Sequence, residues 1–108
     1  MSTLYLSLKS APFAVMVTGE KFNEFRKNSD WIYYRLYTKK GLARTYDFIK
    51  FVNGYGGHRP YFIVRWNGFK KATKSDLPTK IYSNGLTVKI DIGDFIIHCG
   101  EIIETGNL

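Results

Sequence analysis

Leu4, Leu6 and Leu8 alternate with Tyr5 and Ser7. This two-residue period predicts a strand over Leu4–Leu8 with one buried face. From Ser10 the period changes. Pro12, Phe13, Val15 and Met16 are placed for a short helix, with Ser10 at its cap and Gly19 just beyond its end. A second strand is predicted over Phe22–Arg26. Ser29–Tyr37 fits two periods, since Ile32 and Leu36 are spaced for a helix while Ile32, Tyr34 and Leu36 alternate as in a strand; a short helix is the preferred reading. Tyr46–Val52 and Tyr61–Asn67 read as strands. In the latter, Phe62, Val64 and Trp66 share one face and Tyr61, Ile63 and Arg65 the other. The glycine-rich stretch Asn53–Pro60 between them is a loop. Ser83-Asn84-Gly85 predicts a tight turn before a strand at Leu86–Ile90, and Gly93-Asp94 precedes another at Phe95–Cys99. Gly100 marks a bulge ahead of Ile102–Ile103. The sum is about six short strands with one or two short helices, an α+β, mainly β, chain. A small, partly closed mixed β-barrel packs such strands with the fewest open edges.

A length of 108 residues sets a single domain over 1–108. Aromatics make up 17% of the chain, enough to fill a core and to exclude disorder as the default. Phe95-Ile96-Ile97 is typical of its longest apolar runs, far short of a membrane span, and Ala11–Thr18 is too short for a secretory leader. Cys99 stands alone and has no internal disulfide partner. It fits a reducing compartment, so a cytoplasmic location is expected, in a bacterium or a phage-infected host. Charge changes the picture most. Sixteen Lys and Arg face nine Asp and Glu, and residues 1–74 hold 14 of the bases but only 4 of the acids. A basic face that meets a polyanion, nucleic acid above all, is one reading, and an ordinary solvated surface is the other.

The most distinctive segment is Gly19-Glu20-Lys21-Phe22-Asn23-Glu24-Phe25-Arg26, of the form G-x-K-x-x-E-x-R. On a regular strand Glu24 and Arg26 share a face with Phe22 and can form a fixed pair. Lys21 has the opposite parity. It joins them only from the turn after Gly19 or from beside a bulge. The plainer alternative is an ion pair that pins the strand, with Lys21 in solvent.

The motif, following a strand and a short helix, resembles the signature of the ASCH domain, a member of the PUA-like superfamily of small β-barrels. The L-S-L-K strand leading into a helix that ends in glycine, and the late G-D-F-I-I-H strand, are similar to that family's pattern. The resemblance covers most of the chain and implies a PUA-like barrel acting on RNA or modified nucleotides. Some bacterial members are amidohydrolases of N4-acetylcytidine, and ribonuclease activity is also attributed to the family. The lysine and arginine of the amidohydrolase type fall on Lys21 and Arg26. Where that type has a presumed threonine nucleophile, this chain has Glu24, which puts threonine-type acyl transfer in doubt. Its later glutamate has no aligned counterpart.

Other candidates follow from the residues alone. Asn53–Pro60 lacks the G-x-G-x-x-G spacing, yet its amides could cradle a phosphate beside Arg59, with the Asn53 amide and the Tyr55 ring close by. A plain hairpin loop is the alternative. Trp31, Tyr33, Tyr34 and Tyr37 interleave with Arg35, a pattern suited to stacking unpaired bases. Trp31 and Trp66 are nevertheless expected in the core, with one or two of the tyrosines exposed. Lys39, Lys40, Arg44, Lys70, Lys71 and Lys74 make a phosphate track only if the fold gathers them. His98 and Cys99 are adjacent, so a strand points them to opposite faces, and Cys99 is expected to be a buried thiol. His58 sits in the glycine loop, free to touch a ligand or water. No zinc spacing or nucleophile elbow occurs, and no metal or cofactor is expected.

Three functions remain. The first is a binding module for RNA or a modified nucleotide, with DNA an option. Here Lys21, Arg26 and Arg59 contact phosphate or ring oxygens, Glu24 and Asn53 read a base edge, Tyr55 stacks, and Arg35, Lys39 and Lys40 extend the basic track. The second is a hydrolase, with Lys21 as base or oxyanion partner and Glu24 positioning water. The third is a scaffold for a protein partner, with the motif purely structural. A membrane partner is not expected.

Overall fold

The computed structural model describes residues 2–76 and 79–108. Seven strands and two α-helices follow one another as β1 (Thr3–Leu8), α1 (Ser10–Val17), β2 (Asn23–Arg26), α2 (Asp30–Leu36), β3 (Phe48–Asn53), β4 (Tyr61–Lys71), β5 (Lys80–Ile81), β6 (Thr87–Val88) and β7 (Phe95–Gly106), with a 3₁₀ turn at Lys74–Asp76. Five strands form one sheet in the order β1-β3-β4-β7-β2, and β5 and β6 form a small second one. β1 runs parallel to β3, with Leu6 opposite Phe51. A parallel pair needs a crossover, and α1, β2 and α2 supply it. The other pairings are antiparallel.

The β4–β7 ladder curls this sheet into a half-barrel. Its register slips between Ile63 and Val64, between Val64 and Trp66, and between Trp66 and Phe69. Each slip adds local twist and bends the strands. The expected bulge at Gly100 lies in the second slip, where Trp66 faces Cys99 and Val64 faces Ile102. A Cβ on Gly100 would stand 3.0 Å from the Arg65 Cβ, so the close approach of the two strands there favours glycine.

The alternation read from the sequence decides what fills the curl. Leu4, Leu6 and Leu8 of β1, Ile49 and Phe51 of β3, Phe62 and Val64 of β4, and Phe95 and Ile97 of β7 line the concave side. Phe13 and Met16 of α1 and Ile32 and Leu36 of α2 pack onto them. Phe62 stacks on Phe51 at 5.0 Å and meets Phe13 edge-on at 5.1 Å. Each such side chain, fully buried, contributes about 1.5–3 kcal/mol. A second, smaller cluster of Ala72, Ile90 and Ile96, with Phe25 and Val88, lies on the other face of β7.

Several expectations need correction. Lys9, not Ser10, is the N-cap residue of α1, and no side chain caps that helix. β2 starts at Asn23, and Phe22 turns outward at 64% exposure, so it does not share the strand face with Glu24 and Arg26. β3 starts at Phe48. Tyr46 instead packs edge-on against Trp66 and donates its hydroxyl to the Arg35 carbonyl. β4 and β7 run longer than expected, the Leu86–Ile90 strand shrinks to Thr87–Val88, and β5 was not foreseen. Trp31 is not in the core. It is half exposed at the start of α2, because Ile32 and Leu36 take the inward face of that helix. Trp66 is partly buried against the main core. Among the described residues, no helix is long and apolar enough to cross a membrane.

Candidate ligand cleft

α1 ends at Val17, and Gly19, just past its Thr18 cap, has a φ of +85°, the left-handed conformation that glycine adopts without strain. The chain then doubles back, and the Lys21 amide donates to the Val15 carbonyl at 2.9 Å. Lys21 is therefore a turn residue rather than a strand residue, which frees it from strand parity. Its side chain enters the open end of the half-barrel and is buried. There Nζ donates to the Asn23 carbonyl at 2.6 Å and to Glu24 Oε1 at 3.1 Å, and contacts Met16 Sδ at 3.5 Å.

Glu24 lies opposite Ile97 in the β2–β7 ladder and so points to the concave side. Its Oε1 also accepts the Phe25 amide at 3.2 Å. Its Oε2 accepts Arg26 Nε at 2.9 Å and Nη2 at 2.8 Å. The two oxygens thus meet four donors, which uses up their lone pairs. Arg26 Nη2 continues to the Ser7 carbonyl at 2.8 Å. Ser7 belongs to β1 and Arg26 to β2, the two edge strands of the sheet. The triad consequently bridges the seam of the half-barrel, and no buried side-chain polar atom among the described residues lacks a partner.

Cys99 lies beside this triad. Burial pushes its thiol up to about 12, the Glu24 carboxylate adds to the rise, and Lys21 opposes it. A thiol held protonated is a poor nucleophile. His98 points elsewhere, with Nδ1 2.9 Å from Asn23 Oδ1. The two make no dyad, as the strand parity predicts, and Cys99 is half-buried rather than enclosed.

Over the triad opens a cleft of about 660 Å³. Lys21, Glu24, Phe25 and Arg26 form one wall, and Asn53, Gly54, Tyr55 and Arg59 of the β3–β4 loop another. Lys9, Ser10 and Pro12 at the start of α1 close one end, and Leu86 and Val88 of the small hairpin close the other. That hairpin is held in place by Glu20, which accepts from the Ser83 amide and hydroxyl at 2.9 and 2.7 Å. Asn84 reinforces it by donating to the Ala11 carbonyl at 3.0 Å. On the loop, Arg59 Nε donates to the Asn53 carbonyl at 2.8 Å, and its guanidinium lies against Gly54, where a Cβ would come within 3.0 Å of Nη2. Asn53 Oδ1 accepts a 3.4 Å bond from the Ser10 hydroxyl. Tyr55 is 88% exposed at the rim.

Four cations, Lys9, Lys21, Arg26 and Arg59, thus face one carboxylate, Glu24. Of the residues singled out from sequence, Lys21, Glu24, Arg26, Asn53, Tyr55 and Arg59 come together here from two separate segments. Arg35, Lys39 and Lys40 do not line this cleft. Arg35 lies over the Trp31 ring at 3.5 Å from its centroid, and Lys39 and Lys40 project from the turn after α2. Lys70 is paired with Asp76 at 3.0 Å. Lys9, Phe25, Leu86 and Val88 were missed. For Lys9 a signal existed, since it directly precedes a helix start, where a cation and unpaired amides meet. Comparison with protein-family models, with curated proteins and with solved structures returns no match to this chain.

Proposed function

We propose that this chain is a binding module for RNA or a modified nucleotide, with the phosphate and part of a base held in the cleft over the Lys21–Glu24–Arg26 triad. One observation carries the reading: residues distant in sequence, chosen for their chemistry, line one cationic cleft beside an exposed aromatic ring. Within it the residues divide their work. Lys21 and Glu24 spend their hydrogen-bonding groups on each other and on the backbone, so they position Arg26 rather than touch the ligand. Arg26 keeps about a quarter of its side chain exposed, and its Nη1 has no protein partner among the described residues. Arg26, Arg59 and Lys9 bind the phosphate, the Asn53 side chain reads the base edge, and Tyr55 stacks. The likeness of the motif to ASCH domains agrees with this ligand class.

The hydrolase reading is the weaker one for a physical reason. A general base needs a free lone pair on Glu24, and a lysine base needs an uncommitted amine. Both groups are saturated. The test is fluorescence anisotropy of the protein with a short labelled single-stranded RNA across a salt series, beside Arg26→Ala and Arg59→Ala. Affinity that falls with salt and drops in both variants supports the cleft. Salt-dependent affinity that ignores both substitutions moves binding elsewhere on the basic surface. No binding at low salt rejects the polynucleotide reading.

A further inference from the structure

A second cleft of about 630 Å³ opens on the other side of the β1 edge. It shares Ser7, Arg26, Gly54 and Tyr55 with the first, so the two are continuous across the point where Arg26 reaches the Ser7 carbonyl. Its chemistry differs. Among the described residues, no acidic side chain lines it, and Arg26 is its one cation. Its walls carry three aromatic side chains that the core does not use: Tyr5 at 64% exposure, Trp31 at 50% and Tyr55 at 88%. Three large exposed rings around one depression bury no core, and a solvated surface has no need of them. Trp31 is also held in place. Arg35, one helical turn on, sits 3.5 Å from the centroid of the ring and donates to the Trp31 carbonyl at 3.0 Å. An indole held by a guanidinium over its ring is a fixed platform, and aromatic rings of this kind stack unpaired bases.

We infer that this aromatic cleft holds a second, neighbouring unpaired base, so that the ligand is a single strand crossing the β1 edge rather than a free mononucleotide. This rests on the nucleotide-binding reading above and makes it narrower. Arg26, common to both clefts, meets the phosphate that joins the two nucleotides, while Tyr5 and Trp31 stack the second base. Arg35 then acts through Trp31 as a positioning residue, away from the first cleft.

The experiment compares two probes on the whole protein: a short labelled single-stranded RNA, read by anisotropy, and a nucleoside 5′-monophosphate, read by calorimetry. Trp31→Ala is expected to weaken RNA binding by about 5- to 100-fold and to leave the monophosphate unchanged. Tyr5→Ala, at an exposed position with no core role, should act in the same direction. Arg26→Ala should weaken both probes. The second base position is overturned, with the first cleft intact, if Trp31→Ala and Tyr5→Ala leave RNA affinity unaltered, which assigns the aromatic cleft to another occupant such as a protein side chain. Equal weakening of both probes overturns it too. If the unaltered protein binds neither probe at low salt, the nucleotide-binding reading itself fails and this inference falls with it.

Discussion

Two ion clusters meet β2 at neighbouring residues and live in opposite surroundings. Arg26 belongs to the triad with Glu24 and Lys21, whose side chains are 6% and 1% exposed. Lys27, the next residue, bonds Asp91 and Asp94 with its side chain 66% exposed. The geometries are alike, with nitrogen–oxygen separations of 3.1 Å for Lys21–Glu24 and 3.1 Å for Lys27–Asp94. Their consequences differ, because water screens one cluster and is kept from the other. Inside the seam, removing one partner strands charges with nothing to replace it. Outside, water reaches Lys27 and Asp91 directly, and Asp94, only 11% exposed, keeps the Asp91 amide as a donor at 3.0 Å. The hydrogen bonds to Asp91 and Asp94 hold the Lys27 ammonium above its ordinary range, and the bond from Lys27 holds the Asp91 carboxyl below its own. Both groups are open to solvent, so little stability follows.

The comparison can be broken hardest at Glu24. Glu24→Ala leaves Lys21 buried without its counter-charge and should cost about 3–5 kcal/mol in a urea unfolding series. A loss similar to that of a surface substitution would mean that the triad is not buried in solution. Arg26→Ala comes next. It should weaken binding of single-stranded RNA by about 10- to 100-fold, as expected for hydrogen bonds to a charged partner, with a smaller effect on unfolding than Glu24→Ala. The triple replacement Lys21→Met, Glu24→Leu and Arg26→Met sharpens the point. Apolar side chains of similar volume should bring stability back to within about 1 kcal/mol of the original while binding stays lost. Retained binding in that variant would remove the triad from function altogether. On the exposed side, Lys27→Ala should lower the unfolding midpoint less than Glu24→Ala does, because Lys27 and Asp91 are solvated and Asp94 keeps the Asp91 amide.

A separate effect, confined to alkaline solution, is a pH dependence next to the triad. The Cys99 thiol rises from an ordinary 9.0 to about 12 in the folded protein. The folded state therefore holds this proton more tightly than the unfolded chain. Its contribution to stability is complete below about pH 9 and is lost as pH climbs from there through 12. Tyr61 and Tyr82 are raised as well, Tyr61 chiefly by its bond to Glu104 and Tyr82 chiefly by burial, and they add slope in the alkaline range. The difference between the unfolding curves of the unaltered protein and of Cys99→Ala isolates the thiol. Identical alkaline slopes in the two would show that Cys99 is open to water. The same protonation should make Cys99 slow to alkylate near pH 8 until the protein unfolds.

Much of the fold was legible because the periods were clean. Leu4, Leu6 and Leu8 announce a strand with one buried face, and all three are in the core. Phe62 and Val64 do the same for β4. The errors fall where local pattern carries no distance information. Trp31 reads as a core residue from sequence, yet Ile32 and Leu36 occupy the inward face of α2 and leave it half exposed. The strand at Leu86–Ile90 was read too long because only its middle finds a partner, in a β5 too short to leave a period. The candidate cleft was legible in its chemistry. Lys21, Glu24, Arg26, Asn53, Tyr55 and Arg59 were all named from sequence, whereas Lys9 and the hairpin wall were not.

The amino-acid sequence by itself determined which residues seek burial, where the chain turns, and that cations crowd its first two-thirds. Those are properties of single residues and their near neighbours, and periodicity and composition report them directly. Only the tertiary structure decided that Lys21 joins Glu24 and Arg26, since this depends on the turn at Gly19 lifting it out of strand parity. Only the tertiary structure brought the loop at Asn53–Arg59 over the same seam. The curl of the β4–β7 ladder sets the distance between the two edge strands, and that distance arises from register slips summed over many residues.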